Sequence, residues 1–383
     1  MKKATIKTVK SNNRALILGA LMSGALSRAE LAKKTGLSKG AVTLLVNEFI
    51  EDGVLEDIGL MNFNAGVVGR PAIKVDIVPD YRYAAGFSLH RKNLAVCLVD
   101  LKNREIDSFS YKTEEFSSAK EAIDSLYEKL LEILKKHNIP MSKLLGIGIS
   151  APGPVDFKKG LILTPPELVL FHNFPAKDYL SAKTSLPVFL DNNSALLALR
   201  EDMLRKAHFK NCLFVVTTSG IGSAILEDRK LHRGAGGYAG EIGHTVVVSD
   251  GEECPCGNKG CLERYIKGSD LKKRFGFQDY KKVIEDYSNG DEKAKEIVDF
   301  VSEKLSNALI NAVNMLDLDS IVLYGELNDN RGILINRISE AINSRSIISA
   351  AHKINVSPSL QSEEGNILCS TAAILKAFYE QRI

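Results

Sequence analysis

The stretch EIGHTVVVSDGEECPCGNKGCLERY, residues 241–265, places Cys254, Cys256 and Cys261 within eight positions, with His244 ten residues ahead of Cys254. Few chain paths can satisfy that spacing. In a reducing compartment, thiols this close together favour metal over a disulfide. The residues among them are mostly polar or glycine. They are too poor in apolar side chains to fold alone, so the stretch is expected as a loop carried by a larger body. Cys97, Cys212 and Cys369 lie in apolar runs instead and are expected to be buried small hydrophobes.

The chain has 383 residues, enough for two or three domains. No apolar run approaches the roughly 20 residues that span a bilayer. The segment ALILGALMSGAL, after the basic MKKATIKTVKSNNR, is short, interrupted and without a clear cleavage site. A cytoplasmic protein with no membrane partner is therefore expected.

Net charge is only +3, but it is unevenly spread. Residues 1–50 carry nine Lys/Arg against two Asp/Glu, a charge of +7, while everything after residue 77 sums to −1. A basic head on a near-neutral body suggests that the head alone meets a polyanion. Its pattern agrees. An apolar helix is expected around Arg14 to Met22. Ser27 and Glu30 in SRAELAKKTG then form a capping box that opens a short helix ended by Gly36. Ser38 caps a second helix whose Val42, Leu45, Val46 and Phe49 recur at i, i+3, i+4 and i+7. Two short helices around a tight glycine turn make a helix-turn-helix. The second presents Ser38, Lys39, Gly40, Thr43 and Asn47 where recognition helices reach base edges in the major groove. VLED and AIKVDIV are expected as the strands of a β-wing, with Arg70 in Gly69-Arg70-Pro71 at a tip suited to a narrow minor groove. Double-stranded operator DNA is the partner this implies.

From Tyr81 the texture becomes α/β. YAAGFSLHRKNLAVCLVDLKNREID reads as two strands and a third, a helix follows from Ala119 to His137, and LLGIGISAPGPVD is a buried strand ending in a Gly/Pro loop. CLFVVTTSGIGSAILEDRKLHRG repeats the strand, turn, strand arrangement of the first hairpin.

These segments together resemble the ROK family of repressors and sugar kinases over essentially the whole chain. GGYAGEIGHTVV followed by CPCGNKGCLE matches the family's signatures at every defining position, and SAPGPVD and TSGIGSAI match further segments. A helix-turn-helix ahead of the body is the order of the repressor branch. The fold implied is α/β: an N-terminal winged helix-turn-helix, then a two-lobed actin-like, sugar-kinase (ribonuclease H-like) body. Domains are expected at 1–80, at 81–195 completed by a C-terminal helix 370–383, and at 196–369. His244, Cys254, Cys256 and Cys261 supply one imidazole and three thiolates, a set suited to a closed, structural tetrahedral zinc site. The resemblance further implies that Glu241, His244 and Glu263 face a sugar, with Asp191 and Asn192 on its other side and Asn173 as an additional contact. Carboxylates suit the task because sugar hydroxyls donate to them in strong charge-assisted bonds.

The same resemblance exposes departures from a working kinase. Family kinases carry Asn-Asp where this chain has Asp191-Asn192, and an amide cannot take a proton at neutral pH. The first phosphate loop, usually Asp-x-Gly-Gly-Thr, reads Ser88-Leu89-His90-Arg91-Lys92. The second survives in part as Ser219-Gly220-Ile221-Gly222, and Tyr324 stands where a glycine is usual. The expectation is a sugar-responsive repressor on a kinase body without catalysis. The alternative is a bifunctional ATP-dependent sugar kinase that also binds DNA. A homodimer is expected on a pseudo-palindromic operator, with further pairing to a tetramer left open.

Overall fold

The computed structural model describes residues 6–22, 24–60, 73–166, 168–205, 209–328, 332–362 and 365–383. The chain divides into two compact units, residues 1–196 with 365–383, and residues 197–364.

The first unit opens with α1 (Ile6–Leu21), α2 (Arg28–Thr35) and α3 (Lys39–Glu51). The first helix begins eight residues before the expected Arg14 and buries Ile17, Leu18 and Leu21. The capping box at Ser27 forms as expected. The Ser27 hydroxyl accepts from the Glu30 amide at 3.2 Å, and Glu30 accepts from the Ser27 amide at 2.7 Å. Hydrogen bonding to the carboxylate, from the Ser27 amide first and then from its hydroxyl, holds the Glu30 carboxyl below the usual carboxylate range. Ser38 caps α3 by accepting from the Ala41 amide. Val42, Leu45, Val46 and Phe49 are all buried, the stripe read from their spacing. The wing is a three-stranded sheet of β1 (Leu26–Ser27), β2 (Leu55–Leu60) and β3 (Ile73–Ile77), with β3 in the middle and antiparallel to both. Residues 61–72, which include Arg70, lie outside the described residues.

Arg14 ties this head together. Its guanidinium lies 3.9 Å from the centre of the Phe49 ring, donates to Glu48 and Asp52 at 3.3 and 3.1 Å, and reaches Gln381 in the C-terminal tail at 3.3 Å. The side chain is only 20% exposed. Arg14→Ala is therefore expected to cost about 1–2 kcal/mol, most of it from the desolvated cation–π contact, since partly exposed ion pairs add little. Urea unfolding of the two proteins measures this. A difference below experimental error would show that the clamp carries no stability.

The rest of the unit is a five-stranded sheet of β4 (Tyr83–Leu89), β5 (Asn93–Asp100), β6 (Glu105–Lys112), β7 (Leu144–Ala151) and β10 (Val188–Asn192), with a short hairpin β8 (Val155–Asp156) and β9 (Leu161–Ile162) between the last two. Spatial order is β10-β7-β4-β5-β6, antiparallel across β4, β5 and β6 and parallel across β4, β7 and β10. α4 (Ala119–Lys136) covers one face with Ala122, Ile123, Leu126, Leu130 and Ile133, spaced at three and four residues as an amphipathic helix requires. α5 (Ala176–Thr184) precedes β10.

The chain re-enters this unit at Gly365, ahead of the expected residue 370. Ser88 donates to the Asn366 carbonyl, and Cys97 and Ser150 approach the hydroxyl of Ser370 and the sulfur of Cys369, so residues 366–370 already belong to the first sheet. Glycine makes this possible. A Cβ on Gly148 would come 1.8 Å from the Ser370 carbonyl oxygen.

The second unit takes in most of α6 (Asn193–Leu204) and a sheet of β11 (Asn211–Thr217), β12 (Ile221–Glu227), β13 (Lys230–His232), β14 (Ser320–Gly325) and β15 (Asn355–Pro358). Its order is β13-β12-β11-β14-β15, with an antiparallel hairpin and then two parallel strands. Strand for strand this is the topology of the first sheet, the repeat that the two hairpin sequences suggested. The 25-residue helix Glu292–Leu316 buries Ile297, Val301, Leu305 and Leu309 in its core.

Candidate functional site

The loop between Ile242 and Leu262 has few buried side chains, with Val247 and Val248 packing only partly against the core. From Thr245 to Lys259, Cys254 is the one buried residue. A single turn of 3-10 helix, Ile242–His244, delivers the imidazole. Tight backbone pairing then returns the chain: the Cys254 amide bonds the Asn258 carbonyl at 2.8 Å, and the Gly260 amide bonds the Glu252 carbonyl at 2.9 Å. Gly260 is obligatory, because its φ is 74° and a Cβ would lie 1.8 Å from the Val248 carbonyl oxygen.

The ligand atoms of His244, Cys254, Cys256 and Cys261 all fall within 4.8 Å of one another. His244 Nδ1 is 3.7 Å from the Cys254 sulfur, and the Cys256 and Cys261 sulfurs are 3.7 Å apart. This cluster can hold a metal ion. Without a cation, burial first, then the neighbouring sulfurs, push Cys261 up to about 12. At Cys256 a backbone hydrogen bond from Asn258 leads a shift the other way. Cys97, Cys212 and Cys369 are buried thiols outside any disulfide, as their apolar surroundings suggested.

Glu263 opens the short helix Glu263–Ile266 two residues after Cys261. Its carboxylate accepts from the Ile221 amide at 3.0 Å and lies 3.7 Å from the Lys267 ammonium. It thus braces the Ser219-Gly220-Ile221-Gly222 turn, a role that nothing in the spacing disclosed. Glu241 is open to solvent at one edge, yet desolvation raises its carboxyl pKa, with His244 opposing and Glu263 adding to the shift.

In the first unit, Asp191 is buried at the end of β10, with an oxygen accepting from the Asn192 amide at 2.8 Å. Asn192 is a helix cap. Its side-chain oxygen accepts from the Ser194 amide at 2.8 Å at the start of α6. Asn173 is exposed, with φ at 54° and its amide bonded to the Leu163 carbonyl at 2.7 Å. The expected sugar contacts are divided between the two units. Asp191, Asn192 and Asn173 stand in one unit, and Glu241, His244 and Glu263 in the other.

On the head, Ser38, Lys39, Thr43 and Asn47 are all exposed along one side of α3. The Thr43 hydroxyl donates back to the Lys39 carbonyl at 2.9 Å, which leaves its methyl and lone pairs outward. Asn47 accepts from Arg28, whose guanidinium also pairs with Asp57 of the wing at 3.0 Å. Leu44, 62% exposed in the same row, was not singled out from the sequence. It sits one residue outside the buried stripe, which was the available signal.

The profile of the ROK family matches residues 86–373, and that of a winged helix-turn-helix DNA-binding domain matches residues 13–56. A xylose repressor of Caldicellulosiruptor bescii is 26% identical over 395 aligned positions, covering 96% of each chain. Among solved structures, a ROK family transcriptional regulator, described as a homolog of the E. coli MLC protein, superposes with a TM-score of 0.78 at 20% identity over 97% of each chain. A ROK hexokinase from Thermus thermophilus superposes with a TM-score of 0.66 at 25% identity, covering 78% of this chain and 99% of its own.

Proposed function

The chain belongs to the ROK family, and on that premise we propose that it is a sugar-responsive transcriptional repressor that binds operator DNA through α3 and its wing. One observation carries the reading. A recognition helix with four exposed polar side chains precedes the family body in a single chain, and a repressor matches that chain from end to end. Residues 1–80 are the DNA-binding part, and the effector body has two lobes, 81–196 completed by 365–383, and 197–364. Asp191, Asn192 and Asn173 hold one side of the sugar, and Glu241, His244 and Glu263 the other. The protein works in the cytoplasm as a homodimer whose two heads meet two half-sites. Sugar binds one conformation better than the other, and that difference in affinity is what changes operator occupancy.

The metal is zinc with a structural role. Tetrahedral bonds of about 2.3 Å to sulfur and about 2.0–2.1 Å to nitrogen give edges of roughly 3.8 Å between sulfurs and roughly 3.5 Å from sulfur to nitrogen. The two 3.7 Å separations suit both. Four protein ligands leave no open position, so the ion supplies folding energy rather than an activated water. Nδ1 faces Cys254, which leaves Nε2 of His244 for the effector.

The likeness to a hexokinase favours one second reading, a bifunctional kinase. Asn192 argues against it, since its side-chain oxygen caps α6 and an amide cannot take a proton at neutral pH. Ser88 argues likewise, being wholly buried with its hydroxyl bonded to the Asn366 carbonyl. It offers no carboxylate charge to organise Mg²⁺ around phosphate.

The deciding experiment sequences genomic fragments retained by the purified protein with and without D-xylose, D-glucose or N-acetylglucosamine. Recovery of discrete sites whose occupancy changes with one sugar is expected. Random fragments, unaffected by any sugar, would end the repressor reading. In parallel, wild type and Asn192→Asp are incubated with labelled ATP and the same sugars. Neither is expected to form sugar phosphate, because the single exchange restores a base but no phosphate cradle. Turnover by wild type at about 1–100 per second, ordinary for kinases, would establish the second reading instead.

A further inference from the structure

The β4–β5 turn carries a histidine where the family's phosphate loop has glycine, and the fold holds that ring in a defined state. The turn is pinned on three sides. The His90 amide bonds the Asn93 carbonyl at 3.0 Å, the Thr113 hydroxyl bonds the His90 carbonyl at 2.9 Å, and the Thr113 amide bonds the Lys92 carbonyl at 2.9 Å. The ring itself meets Asn193, the residue after Asp191-Asn192, with 3.4 Å between His90 Nδ1 and Asn193 Nδ2. Asn193 in turn meets the Ser150 hydroxyl at 2.6 Å.

Those distances set the protons. A separation of 2.6 Å is typical of O–H···O and short for N–H···O, so the carbonyl end of the Asn193 amide faces Ser150. Its NH₂ end then faces the ring and donates to Nδ1. A neutral imidazole that accepts at Nδ1 carries its proton at Nε2. Burial disfavours the charged ring and pushes the His90 pKa below its ordinary value, which keeps the ring in this neutral form. Nε2 is sealed from solvent and has no partner among the described residues. A buried N–H without an acceptor is costly, and such groups mark places where something absent from the chain completes the bond.

We propose that His90 is a specificity-determining residue of the effector site, a tautomer-locked donor whose Nε2–H bonds an oxygen of an uncharged sugar, with Asn193 and Ser150 as its positioning residues. This rests on the sugar-responsive reading above and deepens it. A turn that receives nucleotide phosphate in a kinase has here become part of sugar recognition. The imidazole is uncharged and offers one proton, which matches a hydroxyl or ring oxygen of a neutral sugar.

The test is calorimetric titration of the full-length protein with D-xylose, D-glucose, N-acetylglucosamine, and the 6-phosphates of the latter two. At least one unphosphorylated sugar binds wild type. His90→Phe, which fills the space without a donor, weakens that sugar about three- to tenfold, the worth of one neutral hydrogen bond. His90→Gln, with an amide donor, recovers most of the loss. Asn193→Leu reproduces the loss although the imidazole is still present, as a positioning role requires. If His90→Phe binds that sugar as tightly as wild type while Asp191→Ala does not bind it, the inference falls and the sugar reading stands. If no sugar or sugar phosphate binds wild type, both fall. A loss confined to the sugar phosphates overturns the neutral-sugar assignment. Should the variants not fold, ¹⁵N NMR of wild-type imidazoles decides. A His90 proton on Nε2, with a resonance that moves on addition of the sugar, supports the proposal. A proton on Nδ1, or no movement, overturns it.

Discussion

Cys261→Ser is expected to lower zinc content from one ion per chain towards none and to destabilise the second unit by several kcal/mol. Two features make the effect large. The sulfur of Cys261 is wholly buried beside Cys256 and receives no solvent that could replace it as a ligand. The loop it closes has Cys254 as its one other buried side chain between Thr245 and Lys259, and only the partly buried Val247 and Val248 pack against the core, so hydrophobic burial holds little of the loop once the metal leaves. Isolated zinc fingers draw roughly 10–16 kcal/mol from their ion. The larger body here retains its own core, and only a fraction of that range is at stake. Because Glu263 follows the loop and braces the Ile221 amide, the sugar response should fail together with the metal. Elemental analysis, thermal melts and sugar titration of wild type, Cys261→Ser and the control Cys212→Ala measure all three. Cys212 is equally buried but lies in β11 away from the cluster, so its variant keeps its zinc. A full complement of zinc in Cys261→Ser would exclude this ligand set. So would a Cys254–Cys261 disulfide in reduced wild type.

The second large effect concerns the head. Lys39→Glu combined with Thr43→Ala is expected to weaken operator binding by on the order of 100-fold, at roughly 1–3 kcal/mol for each base or phosphate interaction removed. The pair is chosen so that folding does not suffer. Lys39 is exposed at the first position of α3, where a negative charge suits the helix dipole. The Thr43 hydroxyl bonds back to its own helix, and alanine is the better helix former. Fluorescence anisotropy on a recovered operator should show the weaker binding together with an unchanged melting temperature. Lys39→Gln alone should reduce the slope of log affinity against log salt by about one per half-site if Lys39 neutralises a phosphate. Unaltered affinity in the double variant would mean that α3 does not read the operator.

Some of this was legible in the residues because covalent spacing already confines them. Three cysteines within eight positions and a histidine ten residues away can reach one point with only a local turn, so the cluster could be read directly. The caps at Ser27 and Ser38 and the stripe from Val42 to Phe49 are likewise short-range, set by helix geometry within one or two turns. The repeated hairpin was visible as two similar strings, although the shared strand order of the two sheets needed their parallel partners, β7 with β10 and β14 with β15.

Other roles depend on partners that the chain brings back from far away. Arg14 meets Gln381 across 367 positions and His90 meets Asn193 across 103, distances over which no periodicity carries information. Asn192 read as a damaged catalytic residue, and only the start of α6 shows that its oxygen is committed to a helix end. Glu263 read as a sugar ligand, and only the approach of β12 shows that its carboxylate also holds the Ile221 amide. The division has a physical cause. A motif's chemistry is written in side chains that the backbone keeps near each other, whereas a group's protonation, orientation and remaining hydrogen-bonding capacity are set by whatever the closed fold packs against it.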